Sequence, residues 1–207
     1  MNRPRYIIIA GVNGAGKSSL YDLQPELFAN TKRINADEIL QKMGGDWRKP
    51  SDNIKAMRSE FKQVYEALET KTSIHVETTL AGSGKAQLRL INKAHNNGFY
   101  VTLLYVALDS SEKAIHRVKD RVEKGGHGIP QKLIKKRYEQ SNANLSIIAF
   151  ESDSVDIYDN SRKFVNIYSR EGKNIKNDEL NKYPWINSEL SNLNNIKSTS
   201  QFLHDDM

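Results

Sequence analysis

"GVNGAGKSSL", residues 11–20, decides the fold. Gly11 and Gly16 stand five apart and run straight into Lys17 and Ser18. The stretch follows Tyr6–Ala10, a mostly β-branched run that reads as a buried strand, and it opens a helix read over residues 17–23. A glycine-rich loop between strand and helix is a phosphate cradle. The backbone amides of Asn13, Gly14, Ala15, Gly16, Lys17 and Ser18 converge on a β-phosphate, and the helix N-terminus adds partial positive charge. Glycine permits the tight turn without a Cβ clash. Lys17 is placed to reach the β- and γ-phosphates, and Ser18, with Ser19 beside it, offers a hydroxyl to Mg²⁺. ATP or GTP, with Mg²⁺, is therefore the expected cofactor. The loop alone leaves open whether the phosphate is sensed, cut or transferred.

The 207 residues suit one domain with at most a small appendage. With 38% hydrophobic and 27% charged residues, the chain has material for a core and is not of disordered composition. No apolar run approaches the roughly 20 residues that span a bilayer. The N-terminus lacks a signal-peptide cleavage pattern, so no membrane association and a cytoplasmic location are expected. The absence of cysteine removes disulfides and thiolate metal sites. A net charge of +6 suggests a polyanionic partner. A nucleotide-like substrate is favoured over nucleic acid, which is kept as an alternative.

Further strands are read at 32–35, 73–78, 99–107, 155–158 and 164–168, alternating with helices at 53–70, 86–96, 110–124 and 130–148. That alternation predicts an α/β fold: a parallel sheet with helices on both faces, as in P-loop nucleotide kinases. Ligands in such sheets bind off the carboxyl ends of the strands. Residues 1–175 are expected to form the kinase domain, and the polar residues 176–207 a loosely held extension.

Two of those strand ends carry acids. Asp37 follows the second strand and Glu77 ends the third, with Thr78 and Thr79 after it. A kinase needs a carboxylate to take a hydroxyl proton and cations to cover the γ-phosphate. Asp37 also reads as a helix N-cap or first-turn acid, whereas an acid ending a buried strand, like Glu77, is costly unless paired. Residues 112–137 hold nine Lys or Arg against three Asp or Glu. Lys113, Arg117 and Arg121 recur every fourth residue, and Arg137 lies beyond the break "GGHGIP" (125–130). Helix, glycine-rich break and helix over about 110–137 form the plan of a lid closing on phosphates. His127 stands at its tip.

Read in order, "GVNGAGKSS", "INADEI", "ETTLAGSG", "RVKDRVEKGGHGIP", "KKRYEQSNANL" and "YDNS" resemble the zeta-toxin family of P-loop kinases over roughly residues 5–170. The resemblance implies ATP as the nucleotide and phosphorylation of UDP-N-acetylglucosamine on the sugar 3′-hydroxyl, with an antitoxin protein as restraining partner. It places the catalytic aspartate at Asp37, a substrate-side Glu-x-Thr element at Glu77 and Thr79, and a lid arginine at Arg117. The larger toxins carry arginines where this chain has Ala81 and His127. Arg121 and Arg137 are the candidates for the missing charge. Only five residues precede the first strand, so an N-terminal docking segment for an antitoxin is not expected. The loop around Trp47 and Arg48, with the helix carrying Arg58, is expected to line the acceptor side. A kinase for a different acceptor, such as a nucleotide or a polynucleotide end, and a nucleotide-binding module without transfer activity stay open as alternatives.

Overall fold

A computed structural model of the chain describes residues 3–190. The first strand, β1 (Arg5–Ala10), is almost wholly buried, with Ile7, Ile8 and Ile9 at 2% exposure or less. Burying each such side chain contributes about 1.5–3 kcal/mol. The chain continues through α1 (Ser19–Leu23), α2 (Pro25–Phe28), β2 (Lys32–Ile34), α3 (Ala36–Lys42), α4 (Pro50–Glu69), β3 (Ile74–Thr78), α5 (Lys85–Asn96) and β4 (Tyr100–Ala107). It then forms α6 (Ser111–Glu123), α7 (Gln131–Phe150), β5 (Ser154–Asp159), β6 (Val165–Glu171), β7 (Asn174–Asp178), a 3-10 turn at Leu180–Lys182, and α8 (Pro184–Leu190).

The seven strands form one sheet in the order β2-β3-β1-β4-β5-β6-β7. From β2 to β5 all pairings are parallel, with Ile8 of β1 opposite Val76 of β3 and Leu103 of β4. The expected parallel sheet thus holds for five strands. β6 and β7 add an antiparallel edge, because the short turn after Asp159 cannot carry a parallel crossover. Side chains alternate across the sheet. Tyr6 and Ile8 join Leu68, Leu90 and Leu145 on one face, whereas Ile7 and Ile9 join Leu20, Val118 and Ile134 on the other. The connection that leaves β1 runs to β2 on one side of it, and the one that leaves β3 crosses to β4 on the other, so the sheet's switch point lies at the end of β1, where Gly11 begins the loop.

Two expectations need correction here. The helix after the loop ends at Leu23 as expected but begins at Ser19 rather than Lys17, because Lys17 and Ser18 still belong to the loop and cap, and it is only five residues long. The extension expected from residue 176 is built into the fold as far as 190. β7 pairs with β6, and Leu180, Ile186 and Leu190 are buried in the main core. Their spacing among Asn, Lys and Glu hid them in a polar average. The remainder of that extension, 191–207, lies outside the described residues. Among the described residues no helix is long and apolar enough to cross a membrane.

Candidate active site

The loop after β1 is shaped by what its glycines exclude. A Cβ on Gly11 would lie 2.2 Å from the carbonyl oxygen of Val106, so the chain can leave β1 against β4 only as glycine. A Cβ on Gly16, at φ +91°, would lie 2.3 Å from Nδ2 of Asn160. That amide instead donates to the carbonyl of Ala15 at 2.8 Å. Arg117 on α6 donates to the carbonyl of Asn160 at 2.6 Å and, at the long limit of 3.5 Å, to that of Gly14. Asn160 and Arg117 therefore clamp the cradle from behind. Arg117, expected among the groups that reach the phosphates, spends its guanidinium on the scaffold. Lys113 is likewise engaged, with Asp109 at 2.6 Å.

Lys17 Nζ donates to the carbonyls of Gly11 at 2.8 Å and Val12 at 3.4 Å. Burial pulls its pKa below the usual lysine value, opposed by Glu77 and Asp37. Ser18 is exposed and its hydroxyl makes no capping hydrogen bond. Among the described residues no cluster of three His, Asp or Glu could hold a metal by itself. A lone hydroxyl beside a lysine fits Mg²⁺ that takes its other ligands from phosphate oxygens and water. With α1 so short, the macrodipole is smaller than a full helix would supply. The cradle amides and Lys17 supply most of the charge.

In front of the loop lies a cavity of about 700 Å³, lined by Asn13, Gly14 and Lys17 on one side and by Asn35, Asp37, Trp47 and Arg48 on the other. Asn35 caps α3, its side-chain oxygen accepting from the amides of Asp37 (2.8 Å) and Glu38 (3.2 Å). The cap is thus Asn35, and the Asp37 carboxylate is left exposed, lining the cavity with no hydrogen bond or ion pair among the described residues. Arg121 and Arg137 line the same cavity. Arg137 donates to Oδ1 of Asn13 at 2.9 Å; burial lowers its pKa and Asp37 opposes this. His127 also lines the cavity. Burial holds its imidazole below the usual value, with Asp37 opposing and Arg121 and Arg137 reinforcing the shift. Its ring centroid is 5.1 Å from that of Trp47, and a Cβ on Gly128 would touch Trp47 at 2.7 Å. The break between α6 and α7 therefore roofs the cavity against the Trp47 loop. The break itself is a Schellman turn: the amides of Gly125 and Gly126 donate to the carbonyls of Val122 and Arg121 at 2.9 Å each.

Thr78 and Thr79 line the cavity beside Glu77. Glu77 is half-buried and paired: Arg33 contacts it at 2.7 Å and Tyr21 donates to it at 3.1 Å. Arg33 went unnoticed in the sequence because β2 is a three-residue edge strand with little pattern. Glu60 was missed as well. It lines the cavity from α4, one of its oxygens is buried without a partner, and burial pushes it up to about 7, against the pull of the Ala36 amide and with Asp37 and Glu77 adding to the rise. It sits in the sequence beside the apolar stripe of α4 and reads there as a surface acid. The expected Arg58 is exposed and does not line this cavity; Asn53, Met57 and Glu60 form the inward face.

Comparison with known proteins gives this geometry its relatives. The family model described as "Zeta toxin" matches residues 1–173. An uncharacterized protein of Haemophilus influenzae is 31% identical over 132 residues, covering 64% of this chain and 91% of that protein. A chain of the AvrRxo1-ORF1:-ORF2 complex, solved with ATP, superposes with TM-score 0.71 at 14% identity over 90% of this chain and 64% of that one. The PezAT toxin–antitoxin system of Streptococcus pneumoniae gives TM-score 0.55 at 18% identity over 94% of this chain and 88% of that chain. This chain spans 47% of the matching chain of the Pnkp1/Rnl/Hen1 RNA repair complex. At these identities the structural likenesses show a shared fold.

Proposed function

Because the chain belongs to the zeta-toxin family of P-loop kinases, we propose that it transfers the γ-phosphoryl group of ATP to the sugar 3′-hydroxyl of UDP-N-acetylglucosamine. The observation that carries the reading is the unpartnered carboxylate of Asp37, facing Lys17, Arg121 and Arg137 across one cavity. Residues 11–19 hold the nucleotide. Lys17 exchanges the carbonyls of Gly11 and Val12 for phosphate oxygens. Asp37 orients the acceptor hydroxyl and takes its proton as the new oxygen–phosphorus bond forms and the bond to the β-phosphate oxygen breaks. Arg121 and Arg137 offset the charge on the transferring group, with Arg117 acting behind the loop to keep it in shape. Ser18 would hold Mg²⁺, which would supply positive charge against the phosphates. Glu77, Thr78 and Thr79 contact the acceptor. Most of the acceleration comes from positioning. The catalytic domain takes in the chain as far as residue 190, with about 110–137 as its lid, in the cytoplasm. An antitoxin is the proposed partner, since PezAT is a toxin–antitoxin system.

The test is to incubate the protein with Mg·ATP and a pool of nucleotide sugars and to seek a phosphate adduct by mass. Asp37→Asn should abolish transfer and leave ATP affinity within a few-fold. A polynucleotide end is the second reading, favoured by the exposed lysines 124, 132, 135 and 136 around the lid. Transfer of label to an oligonucleotide end, and none to a UDP-sugar, would select it. ATP binding without transfer to any acceptor would leave a nucleotide-sensing module.

A further inference from the structure

Arg33 stands on β2, the three-residue strand at the sheet's edge, and its side chain reaches three other elements at once. In the parallel register of β2 and β3 it lies opposite His75, so it rises from the same face of the sheet as Glu77, two residues further along β3. Its Nη2 donates to Oε1 of Glu77 at 2.7 Å, and its Nε pairs with Oε1 of Glu38, in the first turn of α3, at 2.8 Å. Its guanidinium carbon lies 4.5 Å from the centroid of the Tyr21 ring on α1. Tyr21 itself donates to Oε1 of Glu77 at 3.1 Å. Both donors take the same carboxylate oxygen, and Oε2 of Glu77 has no hydrogen bond among the described residues.

Stability does not account for this bridge. Ion pairs between exposed side chains contribute little, and the side chains of Arg33 and Glu38 are 40% and 39% exposed. Charge in the cavity does account for it. Asp37, Glu60 and Glu77 all line the space that receives an anionic nucleotide. Crowded carboxylates do not ionise independently, because each raises its neighbours' hold on protons. Glu60 is relieved by burial, which pushes it up to about 7 and keeps it neutral in weakly acidic solution. Lys17, Arg121 and Arg137 face the phosphate side of the cavity. His127 is held neutral by burial and by those two arginines, against Asp37. Arg48 of the roof pairs with Asp46. Among the described residues, Arg33 is the one cation paired with Glu77 or with Glu38.

We infer that Arg33 is a positioning residue for the transfer: it bridges the end of β3 to the first turn of α3, offsets the charge of Glu77, and so keeps the neighbouring Asp37 carboxylate ionised and aimed at the acceptor hydroxyl. Arg33 does not line the cavity and acts through its two acids. Arginine suits the task because its planar fork meets two carboxylates from two nitrogens, which the single ammonium of lysine does not do in a fixed geometry. The role rests on the kinase reading above and extends it to a residue outside the cavity wall.

The experiment uses the full chain with Mg·ATP and whichever pooled acceptor is phosphorylated, and follows kcat and KM from about pH 5 to about pH 9. In Arg33→Gln the acid limb of the kcat profile should move up by about one unit, as an uncompensated neighbouring carboxylate predicts. At neutral pH its kcat should fall about five- to tenfold through lost positioning, while the KM for ATP stays within about twofold and the urea midpoint matches the wild type. Arg33→Lys keeps the charge and loses the fork, so its acid limb should coincide with the wild type while kcat stays below it. In a Glu77→Gln background there is no charge to offset, so adding Arg33→Gln should leave the limb in place. A limb that stays put in Arg33→Gln, one that moves as far in Arg33→Lys, or one that moves in the Glu77→Gln background overturns the role and leaves the kinase standing. Should Arg33→Gln fail to fold, Glu38→Gln decides. It unties α3 and leaves Glu77 offset, so kcat should fall about two- to threefold with the limb unmoved; an unchanged kcat or a moved limb overturns the role. A wild type that phosphorylates no acceptor overturns both the role and the kinase reading.

Discussion

Arg137, on the second arm of the lid, donates to the side chain of Asn13 in the phosphate loop at 2.9 Å. The two residues are far apart in sequence, and the bond joins the lid to the cradle in one stroke. It also holds the guanidinium within the cavity that Asp37 lines. Arg137→Ala should lower kcat about 10²–10³-fold, the effect of losing one preorganised charge at a transferring group. Asn13→Ala keeps the charge and loses only its anchor, so the loss should be smaller. Steady-state kinetics with ATP and the phosphorylated acceptor checks both, with nucleotide affinity as the control.

Glu60 titrates far from its ordinary range, at about 7 against 4.5, because burial disfavours its charge. Raising a carboxyl's pKa on folding costs nothing below pH 4.5, and the cost grows as the pH rises and levels off above about 7. The full cost is about 3 kcal/mol. Glu60→Gln should therefore match the wild type in stability near pH 4 and exceed it by up to that amount at pH 8. Urea unfolding at the two pH values measures the difference. An unchanged gap would show that Glu60 ionises freely.

His75 behaves in the opposite sense. It is 5% exposed, its Nδ1 is 2.7 Å from Thr31 Oγ1 and its Nε2 has no partner. Burial, aided by Arg33, lowers it from 6.5 to about 4. The neutral ring is favoured in the fold, so this contribution is complete above pH 6.5 and is lost as the pH falls toward 4, again about 3 kcal/mol. His75→Gln should flatten the acid side of the stability profile. Unfolding midpoints between pH 4 and 7 report it.

Asn144→Ala removes the donor to the carbonyls of Leu80 and Gly82. Two lost hydrogen bonds should destabilise the protein by about 1–3 kcal/mol and free the loop at 80–84. Amide exchange there should accelerate at least tenfold, while exchange at 11–18 stays as it was. Leu80→Gly in the same background should slow the loop's exchange again, since Leu80 has φ +50° and glycine adopts this left-handed conformation without a brace.

The parts of the site that were legible in the sequence are those fixed by local chemistry. The glycine spacing before Lys17 needs only a strand and a turn, and β1's apolar run supplies the strand. Asp37 was readable as an acid at a strand end, but its freedom was not, because that depends on Asn35 taking the cap. Asn160, Arg33 and Glu60 act through contacts with segments remote in sequence, and no periodicity announces such contacts. Arg117 was read as a group that reaches the phosphates, whereas its guanidinium is bonded to the carbonyls of Asn160 and Gly14. The end of α1 at Leu23 was read correctly, and its start was set two residues early, inside the loop. The buried positions of α8 were diluted by polar neighbours, as amphipathic segments at a chain's end commonly are.

One helix reaches both halves of the site. Arg137 holds the glycine loop through Asn13, and Asn144, seven residues on, holds the loop at 80–84 through the carbonyl of Leu80. Two turns of helix measure about 10.5 Å. The distance between the two loops is thus graduated on a rigid ruler. A single residue inserted between 137 and 144 would turn one mark by about 100° and slide it by about 1.5 Å. Each loop would keep its own chemistry, and the two would be out of register.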